Sequence, residues 1–162
     1  MKFSLIAAAT LATLAVASPV EIDRRQYSGY FPPISEMLYC LNPFNTAACF
    51  AANGHAEVAS AAAAANFPSS SLHNGQGDAF RHCYWNARMA IDLGTARAKE
   101  IGDNHENSGN NPANEKAMDL ANNATGRTIG ANAAGSTKEA KYNNAQAECL
   151  RRARNGQLVT LK

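Results

Sequence analysis

The chain has 162 residues, which is enough for one domain with a modest hydrophobic core. Its 15 basic and 13 acidic side chains give a formal net charge of +2 at neutral pH. Strong nonspecific binding of nucleic acid depends on a basic field, so this balance excludes that class of binding protein. A nuclease needs only local charge at its active site and is not excluded.

The first residues have the pattern of a secretory signal peptide. Lys2 supplies a positive charge, residues 3–16 are apolar, and Ala15-Val16-Ala17 is a small-x-small cleavage pattern. The apolar run is shorter than the roughly 20 residues that a membrane-spanning helix needs. We therefore predict a signal peptide over residues 1–17, and a secreted, extracellular product that is soluble rather than anchored.

A second processing signal follows the first. Residues 18–25 contain proline and acidic side chains and end in Arg24-Arg25. This segment resembles the propeptides of fungal secreted proteins, which are cut after a dibasic pair, although two exposed arginines are the alternative. We predict a propeptide over residues 18–25 and a single helical domain over residues 26–162, and we expect a monomer.

Helical signals dominate that domain. Residues 26–33 are read as an extended arm, because Pro32-Pro33 prevents an early helix. Residues 158–161 alone have strand character, and they are few. The sequence predicts an all-α fold, a small disulfide-stapled bundle of about four helices. A first helical region is predicted from residue 34 or 43 to residue 65, with a break at Asn42-Pro43. Further helices are predicted over 78–101, 113–127 and 137–155. Ser136 and Glu139 are predicted to form a capping box at the start of the last helix.

Four cysteines in a secreted chain of this size indicate two disulfides. Zinc ligation by the thiols would need CxxC-like spacing, which the sequence lacks. Three pairings are possible and the sequence does not choose among them. We expect Cys40–Cys49 to close a short loop and Cys83–Cys149 to tie a central helix to the last one.

Organised polar side chains occur on two of the predicted helices. Asp78 and His82 are four residues apart and share a helix face, which Arg81 borders. Glu115 and Asp119 have the same spacing on the next helix. Antiparallel packing of the two helices would bring these side chains into one pocket.

The loop predicted between the two helices, residues 102–112, adds His105 and Glu106 to this set. Histidine and carboxylate groups are the usual ligands of zinc or a similar divalent ion, and Glu106 or Glu115 would then act as the base. No HExxH motif accompanies them. The predicted cofactor is one divalent ion, with zinc favoured, and its predicted ligands are Asp78, His82, His105, Glu115 and Asp119.

Two alternatives need no metal. In the first, His82 held by a carboxylate activates water directly, while Arg81 or Arg127 steadies a phosphate or a developing oxyanion. In the second, the same side chains form a structural network, because buried polar groups need partners. Asn123-Ala124-Thr125 is also a glycosylation sequon on the face assigned to the pocket. His55 and His73 are expected to be exposed and without a role.

The order of these residues, DAFRH…W…HE…MDLxNN…GR over residues 77–130, resembles a domain of unknown function. That domain occurs at the C-termini of bacterial polymorphic-toxin and cell-surface proteins and in some secreted fungal proteins. The resemblance implies a working site built from Asp78, Arg81, His82, His105, Glu106, Asp119, Asn122, Asn123 and Arg127. It implies no reaction.

A second segment, residues 81–86, is similar to the His-Asp-x-x-Tyr helix of secreted phospholipases A2. That resemblance implies that Asp119 orients His82, but Cys83 stands where those enzymes bind calcium through aspartate.

These patterns favour a secreted, toxin-like hydrolase, antimicrobial or effector-like, with catalytic residues His82, Asp119, Glu106, Arg81 and Arg127. Its predicted substrate is an extracellular phosphoester or ester, in a lipid, a cell-wall precursor or a nucleic acid. The alternatives are a non-catalytic secreted effector or binding protein and a phospholipase A2-like enzyme.

Overall fold

The computed structural model describes residues 34–108 and 110–162. The predicted signal peptide, propeptide and arm therefore lie outside the described residues. Within those ranges the fold is all-α and contains six helices rather than about four. They are α1 (Ile34–Leu41), α2 (Pro43–Asn66), α3 (Gln76–Leu93), α4 (Thr95–Ser108), α5 (Ala113–Ala131) and α6 (Lys138–Arg154), with a 3₁₀ turn at Ser69–Ser71.

The predicted helix over 78–101 is in fact two helices. Gly94 separates α3 from α4 and has a φ of +83°, a conformation that glycine adopts without a steric penalty. Helix α4 then continues to Ser108, so His105 and Glu106 lie on a helix and not in a loop. The loop predicted over 102–112 was wrong for residues 102–108, because packing of buried Ile101 and Glu106 outweighs the weak helix propensity of the surrounding residues, whereas residues 110–112 are non-helical as predicted.

The other helix boundaries agree more closely with the sequence. Asn42 caps α2, as its side chain accepts a hydrogen bond from the Phe44 amide, and this confirms the predicted break. Thr137 rather than Ser136 caps α6, accepting from the Ala140 amide, so the predicted capping box was wrong. Residues 158–161 form no strand.

Helix α3 is the centre of the bundle and packs against α2, α4, α5 and α6. Its large side chains Phe80, Tyr84 and Met89 are buried, and small alanines of α2 allow that helix to approach closely. The indole of Trp85 donates a hydrogen bond of 2.9 Å to the backbone oxygen of Ala52. The side chains of α3 are therefore held from several directions, which fixes the polar groups that it carries.

The closest helix contact joins α3 and α5 through two glycines. A Cβ at Gly126 would lie 2.0 Å from the carbonyl oxygen of Cys83, and one at Gly130 would lie 2.3 Å from that of Ala87. Both obstacles are backbone atoms of a central helix and cannot rotate away. The absence of side chains at these positions therefore sets the spacing between α3 and α5.

Replacement of Gly126 by alanine is expected to lower the free energy of unfolding by about 3 kcal/mol or more, the upper end for overpacking, because the methyl group meets backbone. Urea unfolding measures this change. Gly54→Ala is the matched control, since no atom lies within 4 Å of a Cβ there, and it should gain about 0.5–1 kcal/mol from helix propensity. Equal effects of the two substitutions would contradict the close approach.

Both expected disulfides are present. Cys40–Cys49 joins α1 to α2, and Cys83–Cys149 joins α3 to α6. The pairing that the sequence left open is thus confirmed as the expected one. Among the helices of the described ranges, none has the length and apolar character needed to cross a membrane.

Candidate functional site

The site is centred on His82 of α3, whose side chain is 2% exposed. Its Nδ1 lies 3.2 Å from Oδ1 of Asn123 and 3.3 Å from Oε1 of Glu106. Because both of these oxygens are acceptors, the imidazole carries its proton on Nδ1. The lone pair of a neutral His82 is then on Nε2.

Asparagine side chains fix this arrangement. Nδ2 of Asn123 donates to Oε1 of Glu106 at 2.9 Å, and Nδ2 of Asn86 donates to Oδ1 of Asn123 at 2.7 Å. Gly102 makes room for them, since a Cβ there would lie 2.9 Å from Oδ1 of Asn86. The ring of His82 therefore cannot turn over without breaking several buried hydrogen bonds.

The Nε2 side of His82 faces two carboxylates and one guanidinium. Oδ1 of Asp119 is 3.3 Å away and Oδ1 of Asp78 is 3.6 Å away. Nη2 of Arg81 donates both to Nε2 and to Oδ1 of Asp78, each at 2.6 Å. One ligand atom from each of Asp78, His82 and Asp119 lies within 4.8 Å of the others, so the three side chains can hold a metal ion.

The carboxylates differ in how their charge is compensated. Oδ1 of Asp119 is buried and makes no hydrogen bond within the described part of the chain. Burial raises the pKa of Asp119 to about 6, and the negative charges of Glu106 and Asp78 act in the same direction. The charges of His82 and Arg81 act in the opposite direction without cancelling this shift, so the charge of Asp119 is only partly compensated.

Glu106 behaves in the opposite way. Burial alone would raise its pKa, but the hydrogen bond and charge of His82, with smaller contributions from His105 and Asn123, hold the pKa of Glu106 below its usual value. Glu106 is therefore an ionised carboxylate that orients His82 from the side opposite Asp119.

Asp78 is positioned by the turn before α3. The backbone amide of Asn74 donates to Oδ2 of Asp78 at 2.6 Å, and Asn74 itself has a φ of +63°. The Asn74 side chain donates to Oε1 of Glu115 at 2.6 Å, and the Asn74 backbone carbonyl accepts from the Leu161 amide at 2.8 Å. Helix α5 and the C-terminal segment thus hold this turn in place.

The C-terminal segment is itself attached to α5. Nδ2 of Asn122 donates to the Val159 carbonyl at 2.9 Å, and the Val159 amide donates to Oδ1 of Asn122 at 3.0 Å. Sequence reasoning missed Asn74 as part of the site. The one available signal was that Asn74 lies four residues before Asp78, at the end of a polar turn.

Six of the predicted site residues lie together: Asp78, Arg81, His82, Glu106, Asp119 and Asn123. His105 and Glu115, although predicted as metal ligands, are not in the group of three that can hold an ion. Nδ1 of His105 lies 3.3 Å from Oε2 of Glu36, and its ring packs edge-on against Trp85. The reason is the helical geometry of α4, which turns adjacent residues about 100° apart and sends His105 and Glu106 in different directions.

Arg127 also differs from its predicted place. Its Nη1 donates to Oδ1 of Asn86 at 3.1 Å and lies 3.9 Å from Oδ1 of Asp103. It is therefore connected to His82 only through the buried asparagines.

The asparagine of the glycosylation sequon, Asn123, is inaccessible in the folded protein. The side chain of Asn123 is fully buried and bonded to Glu106 and Asn86. A glycan on Asn123 is incompatible with this packing, so the possible conflict between the sequon and the site does not arise in the native fold.

A second buried polar cluster surrounds His55. This residue was expected to be exposed, but only 7% of it is. Its Nε2 lies 3.2 Å from Oδ2 of Asp92, and its Nδ1 accepts from Nε of Arg88 at 3.2 Å. Arg88 also stacks on the Tyr142 ring at 3.9 Å. The cluster joins α2, α3 and α6, whereas His73 is exposed as expected.

Acid is expected to destabilise the fold through His55. Burial lowers its pKa below the usual 6.5 despite the opposing hydrogen bond to Asp92. The unfolded chain then binds the proton more readily, so stability is fully present above pH 6.5 and is lost as the pH falls below it, by at most about 1.4 kcal/mol per pH unit. Urea unfolding between pH 7.5 and 5 should show a shallower dependence for His55→Gln. Identical slopes would contradict this role.

The fold and site define a disulfide-containing, all-α protein with a buried histidine that has carboxylates on both sides. The chain belongs to the family described as Domain of unknown function (DUF6973), whose model matches residues 37–156. This confirms the resemblance to a domain of unknown function, while the link to toxins stays a prediction. All the side chains around His82 lie within the match. No solved structure matches the chain.

Proposed function

We propose that the protein is a secreted hydrolase of phosphoesters or esters that works with one divalent cation held by Asp78, His82 and Asp119. The observation that carries the proposal is the buried, unpaired Oδ1 of Asp119, which lies beside the lone-pair side of His82. A buried carboxylate oxygen without a donor is costly, and a cation at this point would satisfy it.

The donor set fits such an ion. One imidazole nitrogen and two carboxylates suit zinc, and they also suit manganese, which prefers oxygen ligands. The groups behind them have the arrangement expected around metal ligands, since Glu106 and Asn123 bond the far nitrogen of His82 and the Asn74 amide bonds the far oxygen of Asp78. A divalent cation there would lower the pKa of a water molecule and polarise the bond to be cleaved.

Arg81 has the position of a substrate-binding group. Its side chain is 32% exposed, and its guanidinium lies against Asp78 and His82 on the open side of the cluster. A cation between the carboxylates would repel this guanidinium and release it toward solvent. Arg81 can then bind a phosphate oxygen, or the oxyanion of an ester, through charge-assisted hydrogen bonds.

The reaction needs no further reagent. Water forms a bond to the phosphorus or carbonyl carbon, and the bond from that atom to the leaving oxygen breaks. Asp119 would accept a proton of the water on the carboxylate oxygen that does not bind the cation, and would return that proton to the leaving oxygen as it departs. Glu106 fixes the orientation of the His82 ring, and the proton between the two groups stays on Nδ1 of His82. The secretory sequence favours an antimicrobial or effector-like role for this activity.

A substrate screen with metal control tests the proposal. The secreted protein, stripped with chelator, is assayed on bis(p-nitrophenyl) phosphate, p-nitrophenyl esters, phospholipid vesicles, a lipid-linked cell-wall precursor and single-stranded nucleic acid, each with and without zinc or manganese. We expect one class to be hydrolysed only with metal, and His82→Ala to reduce the rate by at least about a hundredfold.

The matched control is His73→Ala, which removes an exposed histidine that touches Asn74 and Glu115 but none of the three proposed ligands, and it should leave the rate unchanged. Activity that survives chelation would favour the metal-free use of His82 as a base. No hydrolysis of any class, together with no cation bound, would favour the non-catalytic protein in which these side chains only stabilise the fold.

A further inference from the structure

A second candidate site lies in an open cleft of about 420 Å³ beside the N-terminus of α4. Arg127 is the charged residue of its lining, and none of the lining residues is acidic. We propose that this cleft binds a small oxyanion, a phosphate or sulfate group, on the guanidinium of Arg127. The cleft is lined by Thr95, Ala124, Arg127, Thr128, Ala131 and Asn132.

The charge balance around Arg127 carries the proposal. Its side chain is 12% exposed, so the guanidinium has lost most of its water. Its hydrogen bond goes to Asn86, which is neutral. The carboxylate near it, Asp103, is 3.9 Å away and is already in contact with Lys99. Asp103 is thus shared between Lys99 and Arg127. The buried charge of Arg127 is not fully compensated, and this favours the binding of an anion.

The cleft supplies further donors. Thr95 is the first residue of α4, and this hydroxyl-bearing residue is exposed and lines the cleft. The first N–H groups of the same helix have no intrahelical partner, and they lie at the positive end of the helix dipole. A guanidinium, a hydroxyl and these amides are the groups that bind phosphate and sulfate in proteins.

The cleft is also connected to His82. Arg127 donates to Asn86, Asn86 donates to Asn123, and Asn123 contacts both His82 and Glu106. An anion on Arg127 would therefore hold the first member of a buried hydrogen-bond chain that ends at the catalytic candidate. Free phosphate and a second phosphate of an extended substrate are the two sources of such an anion, and both have the same chemistry at Arg127.

The test uses inorganic phosphate and sulfate as probes on the metal-free, full-length secreted protein. We expect a saturable rise in melting temperature and amide shifts in NMR spectra at residues 95–97, beyond the effect of sodium chloride at equal ionic strength. Arg127→Gln should weaken binding about ten- to a hundredfold, and Arg127→Lys less. A nucleotide or short oligonucleotide that competes with phosphate would identify the substrate as the source.

Arg81→Gln is the control, because Arg81 is the cation beside His82 and its loss should leave this binding unchanged. Binding that is lost in Arg81→Gln but kept in Arg127→Gln would overturn the proposal, as would a response no larger than that to chloride. If Arg127→Gln does not fold, the amide shifts of the wild type decide: shifts at residues 78–82 rather than at 95–97 would place the anion at the other site. This result is independent of whether the protein hydrolyses anything.

Discussion

Replacement of Asp119 by asparagine is expected to stabilise the metal-free protein at neutral pH and to weaken cation binding strongly. Asp119 lies near Asp78 and Glu106, and its buried Oδ1 accepts no hydrogen bond from the residues that the structure describes. Its pKa is raised to about 6, so its ionisation opposes folding as the pH rises from about 4 to 6. An isosteric amide removes that cost, and we expect a gain of about 1–3 kcal/mol at pH 7.

The same substitution removes one of three ligands, and the cation affinity should fall at least about a hundredfold. Thermal unfolding without metal and calorimetric titration with zinc measure the two effects on one sample. Asp103→Asn is the matched control. Asp103 has Lys99 and Arg127 as partners, so its neutralisation should slightly destabilise the protein and leave zinc binding intact. A loss of stability in Asp119→Asn with unchanged zinc binding would show that Asp119 is a structural group.

Removal of the Cys83–Cys149 disulfide is expected to cost more stability than removal of Cys40–Cys49. The cysteines are 66 residues apart in the first pair and 9 in the second. The loss of chain entropy then gives about 4 kcal/mol for the longer loop and about 3 kcal/mol for the shorter. Cys83 and Cys149 are also fully buried, so truncation to alanine adds a packing defect.

Guanidinium unfolding of the two double alanine variants measures this difference. The variant without Cys40–Cys49 should keep the site, because neither cysteine lies on α3 or α5. The variant without Cys83–Cys149 should be near the limit of stability for a small domain. A larger loss from the shorter loop would mean that the junction of α1 and α2 holds the fold and that α3 and α6 do not need the bond.

The sequence was informative where local spacing determines position. Asp78 and His82 share a helix face because they are four residues apart, and this is seen in the structure. The approach of Asp119 was expected from antiparallel packing of the two helices, and that packing was wrong. Gly126 lies against Cys83 and Gly130 against Ala87, so α3 and α5 run in the same direction, because α4 comes between them in the chain and reverses its course. The spacing of the cysteines agreed with the observed pairs, although other pairings had the same formal support.

Other features depend on tertiary contacts that no local pattern contains. The break between α3 and α4 depends on the backbone conformation of a single residue, Gly94. The need for glycine at position 126 arises from the Cys83 carbonyl, which belongs to another helix. Asn74 joins the site because α5 and the C-terminal segment hold its turn. The burial of His55 was not predicted, because its partners Asp92 and Arg88 belong to another helix.

The central claim is that Asp78, His82 and Asp119 hold a divalent cation, and the most direct test is the metal content of the secreted, processed protein before it meets any chelator. We predict about one equivalent of zinc or a similar ion, absent from His82→Ala and retained in His73→Ala. A wild-type protein that contains no metal and binds none on titration would contradict the claim, and it would leave His82 as a metal-free base or as a structural group.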